Sequence, residues 1–86
     1  MPSSSNKVHL RAAVEAALAD DWDTAHKIAQ DYGDPYANWI HAVLHKIEGD
    51  AWNSRYWYAR AGDHRFEDYS DPKAELRAIA HALGPD

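Results

Sequence analysis

Residues 33–50 read GDPYANWIHAVLHKIEGD, and the reading of this stretch decides the fold. Asp34 offers a side-chain acceptor directly before Pro35, whose fixed φ suits the first helical position. Gly49 stands at the far end, where a left-handed residue closes a helix. Between them Tyr36, Trp39, Ile40, Val43, Leu44 and Ile47 recur at helical spacing along one broad side. Asn38, His41, His45 and Glu48 share a narrow arc roughly opposite.

The same punctuation divides the rest of the chain. Upstream, NKVHLRAAVEAALAD sets Leu10, Val14, Ala17 and Leu18 in one stripe, with Ser5 or Asn6 as the expected cap. Residues 1–5 are expected to form a flexible lead. DDWDTAHKIAQDY aligns Trp22, Ala25, Ala29 and Tyr32 behind a cap at Asp21, and Gly33 should stop it. Downstream, DAWNSRYWYARAG is capped by Asp50 and stopped by Gly62, whereas DHRFEDYS has no period and reads as a loop. DPKAELRAIAHALG then repeats the Asp-Pro start and the glycine stop, with Leu76, Ile79, Ala80 and Leu83 as its apolar face. Nothing alternates as a strand would. The expectation is an all-α domain over residues 6–86: hairpins over 6–32 and 35–61, a loop over 63–71, and a capping helix over 72–83.

An internal echo supports the hairpins. Laying Asp21 on Asp50, an offset of 29 positions, matches a small residue four places on (Ala25, Ser54) and a Gly-Asp ending. Two stacked antiparallel hairpins would produce it, with the fifth helix covering the open end. EGDAWNSRYWYARAG resembles the second helix of tetratricopeptide and Sel1-like repeats, with Ser54, Tyr58 and Ala61 on the matching positions. That resemblance spans about a third of the chain and implies tetratricopeptide-like hairpins. It departs in the preceding helix, where Asn38, His41 and His45 stand in place of large apolar residues and only Ala42 fits. Either that hairpin is rotated or these polar groups lie inside. Residues 39–62 also resemble small bacterial helical proteins of unknown function, through an H-A-x-L-H-x-x-E-G-D and Y-W-Y core. That second resemblance implies no activity.

Composition removes several function classes. The chain has 86 residues, no cysteine, and 14 acidic against 9 basic side chains, for a net charge of −5. Disulfides and thiolate chemistry are therefore excluded, and a nucleic-acid partner is disfavoured. No apolar run approaches the ~20 residues of a membrane span. MPSSSNK lacks a basic region followed by an apolar core, so a cytoplasmic protein is expected. The glycines are isolated helix stops and no serine sits in a nucleophile elbow, so no catalytic residue is assigned and a non-enzymatic role is favoured.

Two clusters remain. His41 and His45 are four apart with Glu48 one turn on, a spacing that loosely resembles helical zinc sites. It lacks the glutamate that a metalloprotease places beside its first histidine, because Ala42 stands there, and further ligands would have to come from His26, His64 or an aspartate. The plainer reading is a solvated polar arc, or one bonded to a neighbouring helix; a third is a buried network with Tyr56, Tyr58 and Arg60. In WNSRYWYAR, Ser54, Trp57, Tyr58 and Ala61 form one side of a helix and Trp52, Tyr56 and Ala59 nearly the other. Such a helix should lie between helix three and helices two or five. Any part left exposed would form an interaction surface of Trp52, Arg55, Tyr56, Arg60 and Arg65 for an acidic peptide or a second copy of the chain. The reading is a protein-interaction or self-association module without a cofactor. The alternative is a small metal-binding protein or metal-dependent enzyme, holding zinc or another divalent ion through His41, His45 and Glu48.

Overall fold

The computed structural model describes residues 2–84, with side chains from Asn6 onward. It contains α1 (Pro2–Leu18), α2 (Trp22–Gln30), α3 (Pro35–Ile47), α4 (Ala51–Tyr58), a 3-10 turn (Phe66–Asp68) and α5 (Pro72–Leu83). The fold is all-α, and no strand occurs among the described residues. None of these helices is long and apolar enough to cross a membrane.

Four aspartates start four of the helices. Asp21, Asp34, Asp50 and Asp71 accept from the backbone N–H groups of Thr24, Ala37, Asn53 and Lys73 at 3.3, 2.8, 3.2 and 3.0 Å. Each bond satisfies a donor that the helix cannot partner internally. The start of α1 differs from expectation: it begins at Pro2, so Ser5 and Asn6 lie within it instead of capping it. Of the flexible lead, Met1 lies outside the described residues.

Helix ends follow the glycines with one exception. Gly49 is left-handed at φ +86°, and Asp50 N–H and Gly49 N–H bond back to the carbonyls of His45 and Lys46 at 3.0 and 3.1 Å. This paired closure uses carbonyls that would otherwise be orphaned. Between α1 and α2 the same two bonds form from Asp21 to Ala16 and from Asp20 to Ala17, at 2.8 and 3.0 Å, with Asp20 at φ +66° in the glycine's role. Aspartate tolerates that conformation better than most residues. Gly33 does not stop α2, which already ends at Gln30 with Asp31 as its C-cap. α4 ends at Tyr58 and tightens into three-residue bonding through Ala61 before Gly62 turns the chain. The segment expected to be plain loop holds the 3-10 turn, which seats Phe66 against the core.

α3 is the central helix. It packs against α1, α2, α4 and α5, and Ala37, Trp39 to Leu44 and His45 are all buried. Buried alanines at 13, 17, 25, 29, 37 and 42 let the neighbouring helices approach closely. α5 lies across α1 and α3, so it does not extend the stack beyond α4. Its Glu75 is 0% exposed. That carboxylate accepts from Tyr58 Oη at 2.7 and 2.8 Å, from Trp39 Nε1 at 2.7 Å and from Lys46 Nζ at 2.8 Å. One buried acid thereby joins α3, α4 and α5, and its partners offset the penalty of burying it. Burial first, and then the Glu75 carboxylate, push the Tyr58 hydroxyl well above its ordinary range, so Tyr58 stays a donor.

Candidate functional site

The central place of α3 settles where the polar arc lies. Neighbours on four sides bury the middle of this helix, so His41 and His45 are enclosed, at 6% and 7% exposure, while Tyr36 and Ile47 near its ends stay exposed. Of the two plainer readings, a solvated arc or one bonded to a neighbouring helix, the second holds for Asn38 and His41; His45 is buried beside them, and Glu48 stays exposed. Each member finds a polar or aromatic partner. Asn38 donates to the Arg60 carbonyl at 3.0 Å and the Gly33 carbonyl at 3.4 Å, tying the start of α3 to the end of α4. His45 Nδ1 is 2.5 Å from Glu48 Oε1. His41 Nε2 lies 3.0 Å from His26 Nε2 on α2.

His26, His41 and His45 form a compact trio, each placing a ring nitrogen within 4.8 Å of the others. Two tryptophans flank it. Trp22 stacks on His26 at 4.7 Å and 9°, and Trp57 stacks on His41 at 4.0 Å and 12° between ring planes. Trp22 is held in place by its Nε1–H bond to the Leu44 carbonyl at 2.7 Å. Burial, and then the neighbouring His26 and His45, lower His41 to a pKa of about 4. Burial, followed by His45, also lowers His26 against a smaller opposing pull from Glu48 and Asp23. Both rings are therefore neutral near pH 7, with lone pairs to offer. His64 is not part of the trio; it stacks on Trp39 at 3.5 Å. Nor does the network with Tyr56, Tyr58 and Arg60 form, because Tyr58 is committed to Glu75 and Arg60 lies over Tyr56.

α4 presents the second feature. Ser54, Tyr58 and Ala61 are buried, and Ser54 Oγ donates to the Ala42 carbonyl at 2.7 Å, which docks α4 on α3. The other side was expected to pack on α2 or α5. It does neither, for α4 has only α3 and the 3-10 turn as substantial neighbours. Trp52 is 79% exposed and Tyr56 41%. Their rings lie nearly parallel at 6.5 Å, and the Arg60 guanidinium sits 3.9 Å from the Tyr56 centroid. Arg55 and Arg65 turn to the neighbouring flank, lining a shallow hollow of about 270 Å³ with Tyr58, His64 and Phe66. There Arg55 pairs with Glu67 at 2.5 Å and covers the Phe66 ring at 4.3 Å. The Arg55 hydrogen bond holds the Glu67 carboxyl below its ordinary range. The structure thus brings Trp52, Tyr56 and Arg60 together and places Arg55 and Arg65 beside them.

Comparison with protein-family models, curated proteins and solved structures gave no match for this chain.

Proposed function

We propose that the chain is a protein-interaction module that associates with a second copy of itself through the outer side of α4. One observation carries this reading: Trp52, 79% exposed among the described residues, lies alongside Tyr56, itself 41% exposed. Exposing two large aromatic rings to water is unfavourable, and a partner that covers them recovers that free energy. Tryptophan, tyrosine and arginine are also the residue types that dominate interface energetics.

Charge favours a copy of the same chain as the partner. The α4 side carries Arg60, with Arg55 paired to Glu67 on the adjoining flank, whereas α2 and its ends expose Asp21, Asp23 and Asp31. With a net charge of −5, the chain offers its own arginine-bearing side an acidic complement. Because the two surfaces differ, the contact would be head-to-tail. Sedimentation equilibrium over a range of concentrations tests it. The average mass should rise with concentration, fall when salt is raised from about 0.05 to 0.5 M, and stay monomeric for Trp52→Ala. Wild-type protein that is monomeric at every concentration in low salt would overturn the proposal.

A further inference from the structure

A second feature, separate from the α4 surface, has the chemistry of a ligand site. We infer that His26, His41 and His45 form a binding site for one divalent transition-metal ion of the zinc class. Zinc holds imidazole nitrogens at ~2.0–2.1 Å, and tetrahedral geometry then separates two such nitrogens by roughly 3.3 Å. His26 Nε2 and His41 Nε2 stand 3.0 Å apart, and all three ring nitrogens fall within 4.8 Å. Binding to a common centre would draw the third ring nitrogen in from that 4.8 Å limit toward the same spacing.

The ligand set differs from the one expected from spacing along α3 alone. Glu48 does not face the trio as a donor, since it engages the Nδ1 of His45 at 2.5 Å. That contact fixes the tautomer and puts the His45 lone pair on Nε2, as carboxylates behind metal-bound histidines commonly do. His26 takes the place of Glu48 as the third ligand, from a neighbouring helix. A second grouping of His45, Glu48 and Asp50 also lies within 4.8 Å. It is the poorer site, because Asp50 is engaged in capping α4 through Asn53 on both of its oxygens.

Stacking and the His26–His41 bond hold the trio in place without requiring three imidazoles there. Three imidazoles crowded at the junction of α2 and α3 carry six ring nitrogens, whereas apolar side chains would fill the same space without polar groups to satisfy. The tryptophan walls fit the inference, because stacking on Trp22 and Trp57 holds two of the rings in fixed planes. Donor chemistry selects the ion. All-imidazole sets suit zinc, copper, nickel and ferrous iron, whereas calcium and magnesium prefer oxygen ligands. Three protein ligands would leave a fourth position for water, as in open zinc sites.

The test uses untagged full-length chain, stripped with chelator and titrated with Zn²⁺ or Co²⁺. The expected result is one ion per chain, visible-band absorption of tetrahedral Co²⁺, and a melting temperature raised by about 10 °C at a hundredfold excess over Kd. His26→Asn alters a half-buried ring and should keep the helical circular dichroism while abolishing the Co²⁺ bands. Glu48→Gln should keep the stoichiometry and weaken affinity by roughly 10–100-fold. If the folded wild-type chain takes up none of Zn²⁺, Co²⁺, Cu²⁺ or Ni²⁺ stoichiometrically, the inference is wrong. It is equally wrong if folded His26→Asn binds as tightly as wild type.

Discussion

The two hairpins share a joint and differ in what their second helices show to the outside. Asp21 and Asp50 occupy the same place, with φ and ψ of −95° and 75° in one and −95° and 80° in the other. Counting from them, Ala25 matches Ser54 on the inner side, and both are fully buried. The outer positions part company. Asp23, Lys27, Gln30 and Asp31 of the first hairpin correspond, 29 residues on, to Trp52, Tyr56, Ala59 and Arg60 of the second. One geometry thus carries an ordinary solvated face on α2 and an aromatic, arginine-bearing face on α4. Helix geometry therefore does not explain the aromatic rings of α4; the proposed contact supplies a reason for them.

The comparison breaks most severely at Glu75. Ala29 of the first hairpin corresponds to Tyr58 of the second, and only the latter hairpin is fastened to α5 by a buried acid. Glu75→Ala leaves Lys46 and Tyr58 without their partner and should destabilise the fold by about 3–5 kcal/mol in chemical denaturation. Tyr58→Phe removes one bond and should lose about 1–3 kcal/mol. The same pair predicts a pH dependence. The folded chain keeps the Tyr58 proton that the unfolded chain releases near its ordinary value of 10.0. Stability from this group is full below that pH and declines as pH rises above it. Melting temperatures taken from pH 8 to 11 should fall less steeply in Tyr58→Phe than in wild type; parallel curves would refute the assignment.

The shared joint yields a smaller effect. Gly49 is left-handed with open space around its absent side chain, so Gly49→Ala meets backbone strain and no clash. It should lose about 1–2 kcal/mol. Asp20→Gly relieves the matching position in the first hairpin and should stabilise it by up to about 1 kcal/mol. If both substitutions shifted the denaturation midpoint in the same direction, the two joints would not be equivalent.

The legible parts of this fold were the local ones. Asp34 with Pro35, Asp71 with Pro72, and Gly49 act within a few residues of themselves, so α3 and α5 could be placed from sequence. Gly33 misled because α2 exhausts its hydrogen bonding at Gln30, before the glycine is reached. The pair His41 and His45 was visible as a four-residue spacing, and His26 entered only as one of several further ligands. Its rotation toward α3 depends on packing 15 residues away in sequence. Burial of His41 and His45 stays one of several readings in the sequence, because an arc opposite an apolar face also reads as solvent, and only the neighbours of α3 decide between them. Glu75 went unnoticed although a signal existed. It stands four residues before Ile79, on the apolar stripe of α5, where a charged residue implies a buried partner.

The sharpest use of the comparison alters almost nothing in the fold. Replacing Trp52 with Asp and Tyr56 with Lys gives α4 the residues that α2 carries at the equivalent positions. Both side chains point away from the core, so the double variant should unfold within about 0.5 kcal/mol of wild type. Association, by contrast, should vanish, because the apolar area is gone and a new aspartate faces the acidic complement of the partner. The reverse exchange, Asp23→Trp with Lys27→Tyr, places an aromatic pair on the first hairpin and removes one aspartate of the acidic complement, so it should weaken the contact without abolishing it. Sedimentation of the two double variants separates a specific surface from general stickiness. If the aspartate–lysine variant still associates like wild type, the rings of α4 do not carry the contact. If it turns monomeric while its stability holds, the outward difference between the hairpins is functional.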